Sequence, residues 1–398
     1  MRHVQVVGGS ECGLSLAHQL LQRGWPVTLV TDRSAGSLLA GSVTGAQMKF
    51  SATLDIQNDL GLGFWQDSAP KIRGIDVTVV VEQRAVHAWA QHFVRPAQSV
   101  DQRTVFARWL ELYARMGGNL IIDELSRENI DDWAAEHELT VVTHGAHDLM
   151  ECFPSLGRLA PADPVRRTAV LYLSGVRPRA SGMGSCFVLP GLGEIVSYTA
   201  LSGRPGAERA CEVLLFEAVP GDSLDVFGVI DAPYERLRRA QAVLEELLPE
   251  GISHRYRYAE LIDPGATMTG DVIPRRRIPV GVLPSGRLML GGGDAVRERG
   301  LGGAQGVNNA VHCALRYAER ILTSAGGVFD RDWMWRTARP CSMEGVVRRS
   351  AVEPDRPNSL RQSNCSTLAR SRAADTSLIR TSIATPAARR GSRDGIAW

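Results

Sequence analysis

Apolar residues cluster in a repeating order along this chain. Val4 to Val7 is a buried-type run, and Gly8-Gly9-Ser10-Glu11-Cys12-Gly13 follows it. Leu14, Ala17, Leu20 and Leu21 then recur at helical spacing, with Gly24 as the stop. Val27 to Thr31 is a second apolar run, closed by Asp32-Arg33. This spacing predicts a strand, a helix and a second, parallel strand. Further on, Asp76 to Val81 reads as a strand whose alternation fades through His87-Ala88-Trp89. Arg103 to Met116 carries an amphipathic helix ended by Gly117-Gly118, and Leu120 to Ile122 a short strand. A short helix is expected around Ile130 to Ala135, and a buried strand over Leu139 to Thr143. Residues 165–228 change character. Short runs between Gly and Pro turns predict an antiparallel sheet. Tyr234 to Leu248 is a helix, Arg287 to Leu290 a buried strand, and Val307 to Leu322 a long helix. The parallel elements thus come before, within and after a β-rich insertion.

Composition narrows the class. Of 398 residues, 44% are hydrophobic and 22% charged, which excludes wholesale disorder, collagen and coiled coil. A net charge of +2 gives no case for nucleic acid. No apolar run reaches the 18 residues of a membrane span. Met1-Arg2-His3 leads straight into the first strand, so no signal peptide is expected. Seven scattered cysteines without a CxxC pair fit neither a disulfide framework nor a zinc cage, and a cytoplasmic location is expected. Charge is uneven: residues 340–398 hold ten Arg against five acids. That stretch lacks sustained periodicity and is expected to be a disordered or divergent tail rather than an RNA-binding arm.

The first glycine cluster has the layout of a dinucleotide-binding turn. Gly8 permits the tight turn, and Gly13 lets helix and strand pack closely. Ser10 replaces the glycine that usually lets the backbone approach a pyrophosphate. The helix start offers free N–H groups and partial positive charge to phosphates. Asp32, 19 residues after Gly13, is placed to accept from ribose hydroxyls. The plainer alternative is a glycine turn in an ordinary α/β fold. A second cluster, Gly291-Gly292-Gly293-Asp294, ends a late strand, and Gln305-Gly306 opens the long helix. Asp294 would face the crevice where α/β ligands bind, and the helix start would aim positive potential into it. Together, in this order, the two clusters point to a flavin. Other patterns carry less. His144 and His147 lack a third ligand for a metal. Ser181 to Ser185 lacks the strand–turn–helix setting of a hydrolase nucleophile. Pro274-Arg275-Arg276-Arg277 reads equally as a basic corner or as a segment at the flavin edge.

Several motifs resemble the styrene/indole monooxygenase family. They are Val6 to Gly13, Val27 to Arg33, Val100-Asp101-Gln102-Arg103, Gly293-Asp294 and Gln305-Gly306-Val307-Asn308. Gly45 to Phe50 and Asp59 to Trp65 also look like its longer-branch members. The resemblance spans residues 1–336. It implies an α/β flavoprotein hydroxylase-like fold: a discontinuous Rossmann-like FAD-binding domain (1–75, 98–150 and 265–325) with an inserted antiparallel β-rich substrate domain (76–97 and 151–264). It implies an oxygenase that takes reduced FAD from a separate NADH-dependent flavin reductase. With O2 it would form a C4a-hydroperoxyflavin and epoxidise or hydroxylate a small apolar aromatic substrate, styrene- or indole-like. It leaves a homodimer open. By the same resemblance Gly8, Gly9, Ser10 and Gly13 would meet the pyrophosphate. Asp32 and Arg33 would sit at the adenosine ribose, and Arg103 near the FAD phosphates. Gly293 and Asp294 would hold the ribityl-phosphate region, and Gln305, Gly306 and Asn308 would line the isoalloxazine. Gly145 ends the motif Thr143-His144-Gly145, where the family usually has Ala/Cys-Thr-Gly. No catalytic side chain and no metal are expected. Leu301 stands where the family has proline, and the likeness stops near Arg339. A single-component NAD(P)H-dependent hydroxylase or reductase and a degenerate, non-catalytic flavin binder stay open as alternatives.

Overall fold

The computed structural model describes residues 3–156, 165–298, 305–324 and 326–342. The chain begins with β1 (Val4–Val7), α1 (Glu11–Gln22), β2 (Val27–Thr31), α2 (Ala35–Ala40) and α3 (Ser51–Asp59). It continues through β3 (Ile72–Val81), β4 (Arg84–Ala97), α4 (Gln102–Arg115), β5 (Asn119–Ile122), α5 (Arg127–Ala134), β6 (Leu139–Val142) and α6 (His147–Glu151). Four long strands follow: β7 (Arg166–Ser174), β8 (Gly184–Leu189), β9 (Gly193–Ser202) and β10 (Arg209–Ala218). After α7 (Pro233–Leu247) and α8 (Glu250–Ser253) come β11 (Glu260–Leu261), β12 (Thr267–Val272), β13 (Arg275–Arg276), β14 (Val280–Val282), β15 (Leu288–Gly291) and β16 (Arg297–Glu298). The helices α9 (Gln305–Leu322) and α10 (Arg331–Ser342) close the described chain.

Two large sheets divide these strands. The first has the order β14-β15-β6-β1-β2-β5, parallel except for β14. Val4, Val6, Leu29, Val141 and Leu290 bury one face with α1, α4, α9 and α10. Val7, Val30, Val142 and Met289 bury the other with α5 and α6. Both faces are covered, which is why these strands are continuous apolar runs and easily recognised. The second sheet has eight strands, in the order β11-β7-β10-β9-β8-β3-β4 with β12 also on β7. It is mostly antiparallel, but β3 and β8 run parallel because the β3–β4 hairpin enters from a distant part of the chain.

The elements differ from the sequence reading at several points. β3 starts at Ile72, because Arg73 lies on its exposed side and masks the alternation. Thr267–Val272 pairs with β7 along six residues, so the inserted sheet reaches past residue 264 into the stretch assigned to the FAD-binding domain. α10 runs to Ser342, so residues 340–342 are helical, contrary to the tail expectation. Residues 343–398 and Leu301 lie outside the described residues. Among the described residues no helix is long and apolar enough to cross a membrane.

Three imidazoles in the packed regions set a pH response. Burial holds His18, His137 and His312 below the ordinary histidine value. His18 is fully buried, with Nε2 2.9 Å from the Trp109 carbonyl oxygen. His137 also lies against His3, ring centroids 4.2 Å apart. On unfolding each returns to about 6.5 and takes up a proton that the folded chain refuses. Their contribution is fully present above pH 6.5 and is lost as pH falls below it. The urea midpoint is expected to decline between pH 7 and 5, and His18→Gln to flatten that decline. A midpoint constant across this window would contradict the assignment.

Candidate flavin site

The crevice lies at the carboxyl ends of three neighbouring strands, β1, β6 and β15, and each end carries glycine. Gly8 has φ +105°, and its N–H donates to the Val30 carbonyl oxygen at 2.8 Å. A Cβ there would come within 2.8 Å of the His144 backbone nitrogen. At Gly13 a Cβ would stand 2.0 Å from the Gly8 carbonyl oxygen, so α1 approaches β1 as only glycine allows. Gly9 is packed equally hard on the Thr31 hydroxyl, 2.5 Å from a Cβ. Ser10 is the N-cap of α1: its hydroxyl accepts from Gly13 N at 3.3 Å and lies 3.0 Å from Thr143 Oγ1. The serine therefore serves the helix end in place of the expected glycine. Asp32 and Arg33 follow β2 on the surface as a loose pair, 3.8 Å apart. Gly145 turns the chain from β6 toward α6, where a Cβ would press on the Leu149 side chain at 2.6 Å.

The second cluster meets the first in space. Gly292 N donates to the Val142 carbonyl oxygen at 2.8 Å, and Gly293 adopts φ +55°. A Cβ on Gly293 would lie 3.0 Å from the Cβ of Cys12, in the first turn of α1. A pocket opens beside this contact, lined by Gly293, Asp294, Arg297, Gly306, Asn309 and Cys313. Gln305 opens α9, and Gly306 has open space where a side chain would be. The Tyr317 hydroxyl donates to the Gly291 carbonyl oxygen at 2.7 Å and fixes α9 against β15. Two helix starts, α1 and α9, thus share one crevice. A turn that tolerates no side chain and a clear space before the second helix fit a dinucleotide with a flat ring. Among the described residues no group of three metal ligands occurs.

Comparison with known proteins bears on this geometry. Residues 145–254 match the family model of the styrene monooxygenase A substrate binding domain. Styrene monooxygenase StyA of Pseudomonas fluorescens is 25% identical over 341 residues, which is 83% of this chain and 79% of that protein. The chain is thus similar to styrene monooxygenases over most of its length. It is a flavin-dependent monooxygenase with FAD as cofactor, as the similarity to StyA and the fold together support. The fold is shared with the flavin-dependent brominase Bmp2, at TM-score 0.64 and 13% identity over 85% of this chain and 83% of that one. It is shared too with the myxobacterial chondrochloren halogenase CndH, at TM-score 0.63 and 15% identity over 96% and 90%.

Two residues of this chain sit differently from the sequence reading. All five N–H groups of Arg103 are engaged by protein acceptors. Nε and Nη2 reach Asp101, Nη1 and Nη2 reach Asp263 at 3.0 and 2.9 Å, and Nη1 also reaches the Gly41 carbonyl oxygen at 3.0 Å. Burial alone would lower its pKa, but the bonds to Asp263 and Asp101 hold it raised. Arg103 ties α4 to the inserted domain, and this arrangement leaves no donor for a phosphate. Asn308 is buried, and its amide is likewise committed. Its Oδ1 accepts from Phe50 N at 3.0 Å and from Thr53 Oγ1 at 2.6 Å, and its Nδ2 donates to the Met48 carbonyl oxygen at 2.9 Å. It staples α9 to the segment before α3, while Asn309 faces the pocket.

A buried charge pair escaped the sequence reading. Glu11, in the first turn of α1, lies 2.7 Å from Lys49 Nζ, and both are almost fully buried. Gln57 Nε2 donates to Glu11 Oε1 at 2.5 Å, and Lys49 stands 5.0 Å from the Trp109 ring centre. A carboxylate at this helix start would repel a pyrophosphate, and Lys49 neutralises it. The one available signal was compositional: Lys49 is one of two lysines in a chain otherwise served by arginine.

Proposed function

We propose that this chain is the oxygenase of a two-component system. It takes reduced FAD from a separate NADH-dependent reductase and uses O2 to epoxidise or hydroxylate a small apolar aromatic substrate, styrene- or indole-like. The observation that carries the reading is the convergence of both glycine clusters and both helix starts on the adjacent ends of β1, β6 and β15.

In this reading the start of α1, with Gly8, Gly9 and Gly13 around it, holds the pyrophosphate, and the Ser10 cap fixes that helix start. Asp32 and Arg33 meet the adenosine ribose. Gly293 and Asp294 take the ribityl-phosphate region, and Gln305, Gly306 and the start of α9 face the ring. Reduced FAD, when bound, would supply the two electrons that activate O2, one atom of which goes to the substrate and the other to water. The protein's task is to orient an apolar substrate and keep water out. The inserted sheet supports that task. The Tyr172 hydroxyl donates to the Gly45 carbonyl oxygen at 3.1 Å, so the sheet face that also carries Val170, Val213 and Leu215 closes over residues 43–50. No side chain need move a proton to the alkene, and none is assigned that role.

The test is stopped-flow absorbance after mixing the protein and reduced FAD with oxygenated buffer. A long-lived transient absorbing at shorter wavelength than oxidised FAD is expected, followed by styrene oxide or oxidised indole when substrate is present. Oxidised FAD appearing as fast as without protein would sink the oxygenase reading.

A further inference from the structure

The register of the inserted sheet lines up one row of side chains from β4 to β12. Trp89 of β4 is opposite Val77 of β3, which is opposite Cys186 of β8 and, through it, Val196 of β9. Val196 is in turn opposite Leu215 of β10, which leads to Val170 of β7 and Met268 of β12. Residues opposed in a ladder share a face, and this face is the one turned to residues 43–50. No member of the row is charged. The next row on one side carries the buried carboxylates of Glu194 and Glu217, and on the other side Tyr198 and Tyr172. Residues 43–50 touch the sheet on both sides of Val196. The Gly45 carbonyl oxygen accepts from the Tyr172 hydroxyl of β7, and Phe50 meets Phe93 of β4 edge to face, with ring centres 5.2 Å apart. Between these contacts Cys186 is 0% exposed and Leu215 3%, yet Val196 is only half-buried. A side chain in the middle of a sheet with buried neighbours on both adjacent strands is reached only from a space in front of it.

That space lies between the sheet and a segment tied to α9, because Phe50 N donates to Asn308 Oδ1 at 3.0 Å. In the reading above, α9 starts at the flavin ring. We propose that Val196 is the floor of the substrate chamber and sets the largest ring system this chain accepts. The inference deepens the oxygenase reading and rests on its choice of a small apolar aromatic ligand. The surroundings suit such a ligand. Leu215 and Val170 offer hydrocarbon, Met268 a thioether, and Trp89 with the Phe50–Phe93 pair aromatic faces and edges. A charged substituent would lose its hydration against this row and gain no partner from it. Val196 is branched at Cβ and therefore stiff, so the floor does not yield to a larger ring by changing rotamer. Its role is specificity: it moves no proton and holds no cofactor.

The experiment is equilibrium binding of 2-vinylnaphthalene to the full chain without flavin, read by naphthalene fluorescence, with styrene as competitor. It compares wild type, Val196→Ala, Val196→Phe and Ile195→Val, with melting curves to confirm folding. Ile195 is the control: it is opposite Phe216 and points to the other face of the sheet. Val196→Ala should shift the ratio of the two affinities about tenfold toward the fused ring, as for methyl groups removed from a packed apolar pocket. Val196→Phe should shift it about tenfold toward styrene, and Ile195→Val should stay within about twofold of wild type. In wild type, 4-vinylbenzoate should compete about tenfold more weakly than styrene. With reduced FAD and O2, kcat/KM for the two alkenes should follow the same ratios. An unchanged ratio in folded Val196→Ala would overturn the proposal, whether or not Val196→Phe folds. So would an equal shift in Ile195→Val, or a wild type that binds neither ring. If wild type and variants bound both rings in these ratios but oxidised neither, the oxygenase reading would fail and the chamber would stand.

Discussion

Gly13→Ala is expected to abolish FAD binding and to destabilise the fold by roughly 3 kcal/mol, the upper end for an overpacked site. The new Cβ would stand 2.0 Å from the Gly8 carbonyl oxygen and 2.7 Å from Thr143 Oγ1. The first of these is backbone inside the turn that follows β1, and no rotamer can relieve it. α1 must then slide off β1, which opens the Ser10 cap and moves the free N–H groups away from the crevice. Gly306→Ala provides the contrast. Nothing lies within 4 Å of its Cβ position, so stability should hold while FAD affinity falls, because the methyl enters the space before α9. Urea denaturation and FAD titration on the two variants separate fold from site. A Gly13→Ala protein with wild-type affinity would refute the assigned turn.

Lys49→Met should be the costlier change to stability. It leaves the Glu11 carboxylate buried at 4% exposure with its ion partner gone, a situation that costs about 3–5 kcal/mol. The double variant Lys49→Met, Glu11→Gln removes both charges and keeps the Gln57 contact, so most of the loss should return. The recovery in a double-mutant cycle measures the coupling. An unchanged urea midpoint for Lys49→Met would show that the pair carries no such weight. If the start of α1 holds the pyrophosphate as proposed, Lys49→Met should also weaken FAD binding, because the Glu11 charge in that first turn is then unneutralised.

Legibility in the sequence followed the kind of force at work. β1, β2, β6 and β15 are buried on both faces and therefore appear as apolar runs. The glycine clusters were readable because close backbone approach admits one residue type. α3 was invisible for the opposite reason: its buried positions are Thr53 and Gln57, which face Asn308 and Glu11, so its inner side looks polar. Arg103 and Asn308 were placed at the cofactor by family likeness, yet their partners Asp263 and Thr53 are distant in sequence and follow no short spacing.

The contact between Gly293 and Cys12 closes a loop of about 280 residues, and such closures are slow because chain entropy must be lost before the contact forms. As the chain leaves the ribosome, α1 emerges early with half a crevice and no partner. The β7–β10 ladder, built mainly from nearby strands, can assemble well before β15 and α9 exist. The cofactor therefore cannot act as an early folding template. It can only select chains whose two distant glycine turns have already met, and the crevice reports completed assembly of the parallel sheet.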